Sequence, residues 1–126
     1  MSLLGKHNVD FKILDRPDVP IRKYTAGEAI ITKGSVAKEM FLLRKGHVAI
    51  QVHDKTVEEV APGGIFGEMA LIDHAPRSAS AVATEESEVI PIDERLFVIL
   101  VQDAPYFALD VMRVLAERIR AMNQLV

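Results

Sequence analysis

The sequence predicts a mainly β fold with flanking helices. Three observations lead there. Short segments rich in Val, Ile, Phe and Tyr fill the stretch from Pro20 to Ile92, glycines and prolines punctuate them, and the last third carries apolar residues at helical spacing. Many short strands spaced by turns favour an antiparallel roll or barrel over a parallel α/β sheet. With 126 residues, 49% of them hydrophobic and 26% charged, the chain fits a single domain (1–126) with a packed core.

Residues 1–19 place Val9, Phe11, Ile13 and Leu14 among charges and reach the breakers Pro17 and Pro20, so an N-terminal helical segment is expected there. A β-roll is expected over 20–93. Within it, strands are predicted at 29–32, 40–44, 47–52, 55–60, 80–83 and 87–92. Lys45-Gly46 sits between the apolar runs 41–43 and 48–50, which predicts a hairpin joining those two strands. Pro62-Gly63 stops the strand before it, and residues 69–72 read as one helical turn that needs packing to stand.

C-terminal helices are expected over 94–126. Asp93 can cap the first, which carries Leu96, Phe97, Ile99 and Leu100. Pro105 restarts the chain at a helix N-terminus. Beyond it Val111, Leu115, Ile119, Met122 and Val126 form one apolar stripe, with Arg113, Glu117, Arg120 and Gln124 on other faces. Arg118 and Arg120 are expected to be solvated.

Composition narrows the function classes. The formal net charge of −3 gives no basic footprint for nucleic acid. No apolar run approaches the roughly 20 residues that span a bilayer, and no signal-peptide pattern opens the chain, so a soluble, cytoplasmic protein is the simplest expectation. Without cysteine there are no disulfides or thiolate metal sites. His7, His47, His53 and His74 show no metal-ligand spacing, so no metal is expected. Nor does any nucleophile–base arrangement stand out, and the chain is not expected to be an enzyme.

The most informative segment is 66–82, F-G-E-M-A-L-I-D-H-A-P-R-S-A-S-A-V. Gly67 permits tight backbone geometry or close approach, the N–H groups after it can face an anion, and Arg77 supplies a planar cationic fork. Glu68 beside Gly67 would repel a bare phosphate. A sugar hydroxyl next to the phosphate would suit it.

On these residues the sequence resembles the phosphate-binding cassette of the cyclic-nucleotide-binding domain family, which includes catabolite-activator-type sensor domains and kinase regulatory subunits. The match to F-G-E-(apolar)-A-L and P-R-(small)-A is unbroken. The resemblance implies N-terminal helices, an antiparallel eight-stranded jelly-roll-like β-roll with a short phosphate-cassette helix, and two C-terminal helices. It also likens residues 24–28 with Gly34 to the family's opening turns, and Gly46 to its central hairpin glycine.

For the site, the resemblance implies a cyclic nucleotide held by Arg77 on its phosphate, by the backbone N–H groups of Ala70 and Ser78, and by Glu68 on the ribose 2′-hydroxyl with Gly67 assisting. The base is implied along the strand of Val57, Glu58 and Val60, near Met69 and Val82, and an arginine from the last helix could cap it. Ser78 leaves cAMP and cGMP both open, and cAMP is preferred. The function so implied is a non-enzymatic sensor, in which the ligand repositions the C-terminal helices. It needs no cofactor, and its output would pass through an effector protein, an appended output domain or a homodimer formed by the C-terminal helix. The alternative is a roll-fold protein-interaction module that no longer uses a cyclic nucleotide.

Overall fold

The computed structural model describes Leu14 and residues 19–124. The expected N-terminal helical segment thus falls almost wholly outside the described residues, though Leu14 is buried in the core.

Eight strands are described: β1 (Arg22–Tyr24), β2 (Ala29–Ile31), β3 (Glu39–Lys45), β4 (Val48–Val52), β5 (Lys55–Val60), β6 (Ile65–Phe66), β7 (Ser80–Ala83) and β8 (Ser87–Asp93). They pair antiparallel into two four-stranded sheets, ordered β1-β8-β3-β6 and β2-β7-β4-β5. Helix α1 (Glu68–Asp73) interrupts the roll after β6, and α2 (Glu94–Asp103) and α3 (Tyr106–Gln124) follow it. This is the jelly-roll-like roll with flanking helices that the sequence predicts.

Met40, Phe41, Leu42 and Leu43 of β3 are all almost fully buried, a continuous run rather than an alternating one. Such a run belongs to a strand covered on both faces. Here α1 packs on β3 and α2 packs on the neighbouring β8, while the residues of both sheets meet in one core. By contrast, β7 alternates, with Ala81 and Ala83 buried and Ser80 and Val82 half-buried.

The Lys45-Gly46 turn does not close a hairpin. β3 pairs with β8 and β6, whereas β4 pairs with β5 and β7, so the turn carries the chain from one sheet to the other. Gly46 takes φ 100, and a Cβ there would overlap Ser87 and the Glu86 carbonyl at the start of β8. The glycine therefore serves a close crossing between sheets. The true hairpin lies one turn later. His53 (φ 52) and Asp54 (φ 63) are both left-handed between β4 and β5, the geometry of a type I′ turn.

Asp93 caps α2 as expected, its side chain accepting from the Leu96 N–H at 2.8 Å. The single stripe expected on α3 splits in two. Phe107, Val111 and Val114 are buried, but Ile119 is 58% exposed and Leu115 only half-buried. Met122 and Val126 fall outside what is described for side chains. Glu117, expected on an outer face, is buried. The inward row therefore runs 107, 111, 114, sharing Val111 with the expected stripe but rotated from it by roughly a fifth of a turn.

Candidate functional site

The cassette begins where β6 ends. The Gly63-Gly64 turn is tied to β3 by two backbone bonds: the Gly63 N–H donates to the Leu43 carbonyl at 2.8 Å, and the Leu43 N–H to the Gly64 carbonyl at 2.9 Å. Phe66 stacks on Phe41 with ring centroids 5.4 Å apart. Gly67 then turns left-handed (φ 74) and starts α1. A Cβ on Gly67 would lie 2.7 Å from Arg77 Nη1 and 3.0 Å from Ile31 Cδ1, so close approach as well as backbone angle requires glycine.

Arg77 enters from the other side of the loop. Its backbone is clamped to the turn after β2: its N–H donates to the Ser35 carbonyl at 2.9 Å, and its carbonyl accepts from Gly34 at 2.8 Å. Its guanidinium, in a residue only 7% exposed, donates from Nη1 to the Gly67 carbonyl and from Nη2 to the Glu39 carbonyl, both at 2.7 Å. It also lies 5.8 Å from the centre of the Phe41 ring, within cation–π range. Burial pushes the Arg77 pKa below its ordinary value, against the charges of Glu39 and Glu68, which raise it. The guanidinium nonetheless stays charged.

The acceptors that hold Arg77 are neutral carbonyls. Glu39's own carboxylate is bonded by Arg22, at 2.9 and 3.4 Å. Among the described residues no carboxylate lies within ion-pair distance of Arg77. A cation buried this way keeps most of its attraction for an incoming anion, because neither water nor a bonded acid offsets it.

Glu68, the first residue of α1, is 5% exposed. Its partner comes from a helix 50 residues away: Arg118 of α3 donates to Glu68 Oε1 through Nη1. The same guanidinium donates to Glu58 of β5, at 3.0 and 3.2 Å from Nε and 2.8 Å from Nη2, and to the Ile65 carbonyl. Burial, the largest single influence, pulls the Arg118 pKa down, but the charges of Glu68 and Glu58 outweigh it and the value ends above the ordinary one. The expectation of a solvated Arg118 is thus overturned, whereas Arg120 is exposed as expected. The residue at 118 follows 107, 111 and 114 at the next spacing of four, which puts it, part-buried, on the inward face of α3.

The structure therefore brings Gly67, Glu68, Ala70 and Arg77 together, and adds Arg118 and Glu58, the first not foreseen as part of the site's ion network. Ala70 is buried in the first turn of α1, whose N–H groups have no partner within the helix. Met69 (54% exposed) and Ser78 flank this group at the surface. Val60 is fully buried, paired with Val48, and half-buried Val82 pairs with Ala49, so these two stand on either side of β4. Val57 is the extra residue of a bulge in β5 and is 62% exposed. A separate cleft of about 290 Å³, lined by Lys23, Tyr24, Lys45, Glu86 and Glu88 among others, includes none of these residues.

A buried cationic fork next to a buried acid on a glycine turn suits a ligand that pairs a phosphate with a sugar hydroxyl. The family model described as "Cyclic nucleotide-binding domain" matches residues 21–104. The chain belongs to this family. Among curated relatives, this cyclic nucleotide-binding domain is similar to a cyclic AMP receptor protein of Thermus thermophilus, 33% identical over 104 residues, 79% of this chain and 48% of that protein. It is also similar to a cyclic nucleotide-gated potassium channel of Rhizobium etli, 37% identical over 93 residues, 74% of this chain and 26% of the channel. The Thermus thermophilus catabolite activator protein structure superposes with a TM-score of 0.75 at 31% identity, over 84% of this chain and 52% of that one. The chain spans about half the length of these relatives or less.

Proposed function

We propose that the chain is a non-enzymatic sensor unit, a single domain over 1–126, that binds a cyclic nucleoside monophosphate. Arg77 would grip the exocyclic phosphate oxygens, the Ala70 and Ser78 N–H groups would complete the phosphate shell, and Glu68 with Gly67 would hold the ribose 2′-hydroxyl. The observation that carries this reading is the Arg77 guanidinium, buried and bonded to carbonyls alone, one residue's reach from a buried carboxylate. Such a pair selects for a ligand that has both an anion and a neighbouring donor, because a ligand lacking either leaves a buried polar group unmatched.

The base would rest against the sheet containing Val60 and Val82, with Met69 at its rim. The name of the Thermus relative supports cAMP over cGMP, and Ser78 is compatible with both. Binding would shift α2 and α3 against the roll, which requires that the ligand bind one arrangement more tightly than the other. Among the described residues no helix is long and apolar enough to cross a membrane, and the setting we propose is cytoplasmic. The response would pass to an effector protein, an output domain or a second copy of the chain.

Thermal unfolding with saturating cAMP, cGMP and 5′-AMP tests the reading. Both cyclic nucleotides, cAMP the more strongly, should raise the midpoint, since a ligand that binds only the folded state stabilises it. 5′-AMP should do so far less. No shift with either cyclic nucleotide would contradict the reading and favour an interaction module.

A further inference from the structure

Glu39 stands between two arginines. Its backbone carbonyl accepts from Arg77 Nη2 at 2.7 Å, while its carboxylate is held by Arg22 of β1, Nη1 to Oε1 at 2.9 Å and Nη2 to Oε2 at 3.4 Å. Phe41 lies two residues along β3, on the same face of the strand. The guanidinium carbons of Arg77 and Arg22 lie 5.8 and 6.0 Å from the centre of its ring. The acid, the ring and both cations therefore share one patch of the sheet. Of the two acids that raise the Arg77 pKa, Glu39 does so more strongly than Glu68. A carboxylate so placed is the natural competitor of a ligand phosphate. It hangs from a backbone already bonded to Arg77, so a change of rotamer would turn it towards that guanidinium. The two-pronged contact with Arg22 opposes the turn.

We propose that Arg22 is a positioning residue that holds the Glu39 carboxylate away from Arg77, so that the cassette arginine meets a ligand phosphate with its charge not yet neutralised. This rests on the cyclic-nucleotide reading given above. The Arg22 side chain is 48% exposed and that of Glu39 25%, and an ion pair this open to water adds little to folding stability. Its effect lies instead in which cation the acid occupies. A consequence is that β1, which lies outside the cassette, sets the affinity of the site without touching the ligand.

Calorimetric titration of cAMP into the 126-residue chain tests this, using the wild type, R22A, R22Q, E39Q and the double variant R22A/E39Q, each checked for folding by circular dichroism. R22A should weaken binding about three- to tenfold, because the phosphate must then displace a carboxylate from Arg77 in a partly screened setting. R22Q keeps bulk without charge and should do the same, and it stands in if R22A does not fold. The discriminating arm is the double variant. It lacks the Arg22 contact with the Phe41 ring just as R22A does, yet it should recover most of the lost affinity because the competing acid is gone. A packing role for Arg22 would leave it as weak as R22A. E39Q alone should bind at least as tightly as wild type. R22A and R22Q binding like wild type, a double variant no tighter than R22A, or E39Q weaker than wild type overturns the inference alone. A wild-type chain that binds no cyclic nucleotide overturns the underlying reading and this inference with it.

Discussion

Two arginines, one buried in the cassette and one part-buried on the C-terminal helix, do opposite things. Arg77 donates to the carbonyls of Gly67 and Glu39, so its charge remains available. Arg118 donates to the carboxylates of Glu58 and Glu68, so its charge is consumed within the fold. The pKa directions report the same contrast, lowered by burial at Arg77 and raised on balance at Arg118 by its two acids. The lesson is that a buried arginine is a ligand-binding candidate according to what already holds it. Local motif identifies the residue, and the acceptor set decides its role.

The sharpest way to break the comparison is Arg77→Ala. It should weaken cAMP binding by about 100-fold or more, as expected for loss of a bidentate charge-assisted contact in a buried site, while circular dichroism shows the fold retained. The variant also loses two charge-assisted bonds to carbonyls, and a stability cost of about 2 kcal/mol in urea denaturation is expected. Affinity unchanged by this substitution would remove the distinction between the two arginines.

Gly67→Ala sharpens it. The new Cβ would press on Arg77 Nη1 at a left-handed backbone position, costing about 1–3 kcal/mol in urea denaturation and weakening cAMP binding by displacing the fork. If stability and affinity both stayed at wild-type levels, the close approach would not be what positions Arg77.

On the helical side, Asp93→Ala removes the α2 cap. A loss of about 1 kcal/mol is expected, with cAMP affinity reduced far less than by Arg77→Ala because no contact to the ligand is removed. A large affinity loss would mean that the two regions are not separable in the way the arginine contrast implies.

The smallest expected effect is a control remote from both arginines. Thr25 donates its N–H and its hydroxyl to Glu28 Oε1, each at 2.8 Å, and these bonds hold the Glu28 carboxyl below its ordinary value. A depressed carboxyl contributes stability above its unfolded-state pKa, and that contribution fades as pH falls through the folded value. NMR titration should find Glu28 low in wild type and only partly raised in Thr25→Ala, which removes the hydroxyl bond but keeps the backbone N–H bond, the larger cause, with ligand affinity untouched.

Much of this was legible in the sequence, and the gaps have physical causes. The six strands read from alternation and turn residues all exist, and 55–60 matches β5 at both ends. β6 was missed because two residues cannot show a period, and β1 because Arg22-Lys23-Tyr24 has no apolar run like the Ala29-Ile30-Ile31 of β2. β6 exists only through its pairings, Phe41 with Phe66 and Leu42 with Ile65. The hairpin was misplaced because Lys45-Gly46 advertises a turn, and turn chemistry is silent about which sheet the next strand joins. His53-Asp54, the real hairpin turn, lacks the Asn-Gly or Asp-Gly signature that usually marks left-handed pairs. In the cassette, Gly67, Glu68 and Arg77 were legible because all three lie within eleven residues. Arg118 was not, since its partners Glu58 and Glu68 lie 60 and 50 residues away and a charged side chain on a helix is more often solvated.

The central claim is that Arg77 keeps its charge for a ligand phosphate while Arg118 spends its own on the site's acids. A crystal structure of the chain with cAMP tests it most directly. The account predicts both exocyclic phosphate oxygens at hydrogen-bond distance from the Arg77 guanidinium, the ribose 2′-hydroxyl on Glu68, and Arg118 still between Glu58 and Glu68. A phosphate bonded by Arg118 instead, with Arg77 still on its two carbonyls and away from the ligand, would contradict it.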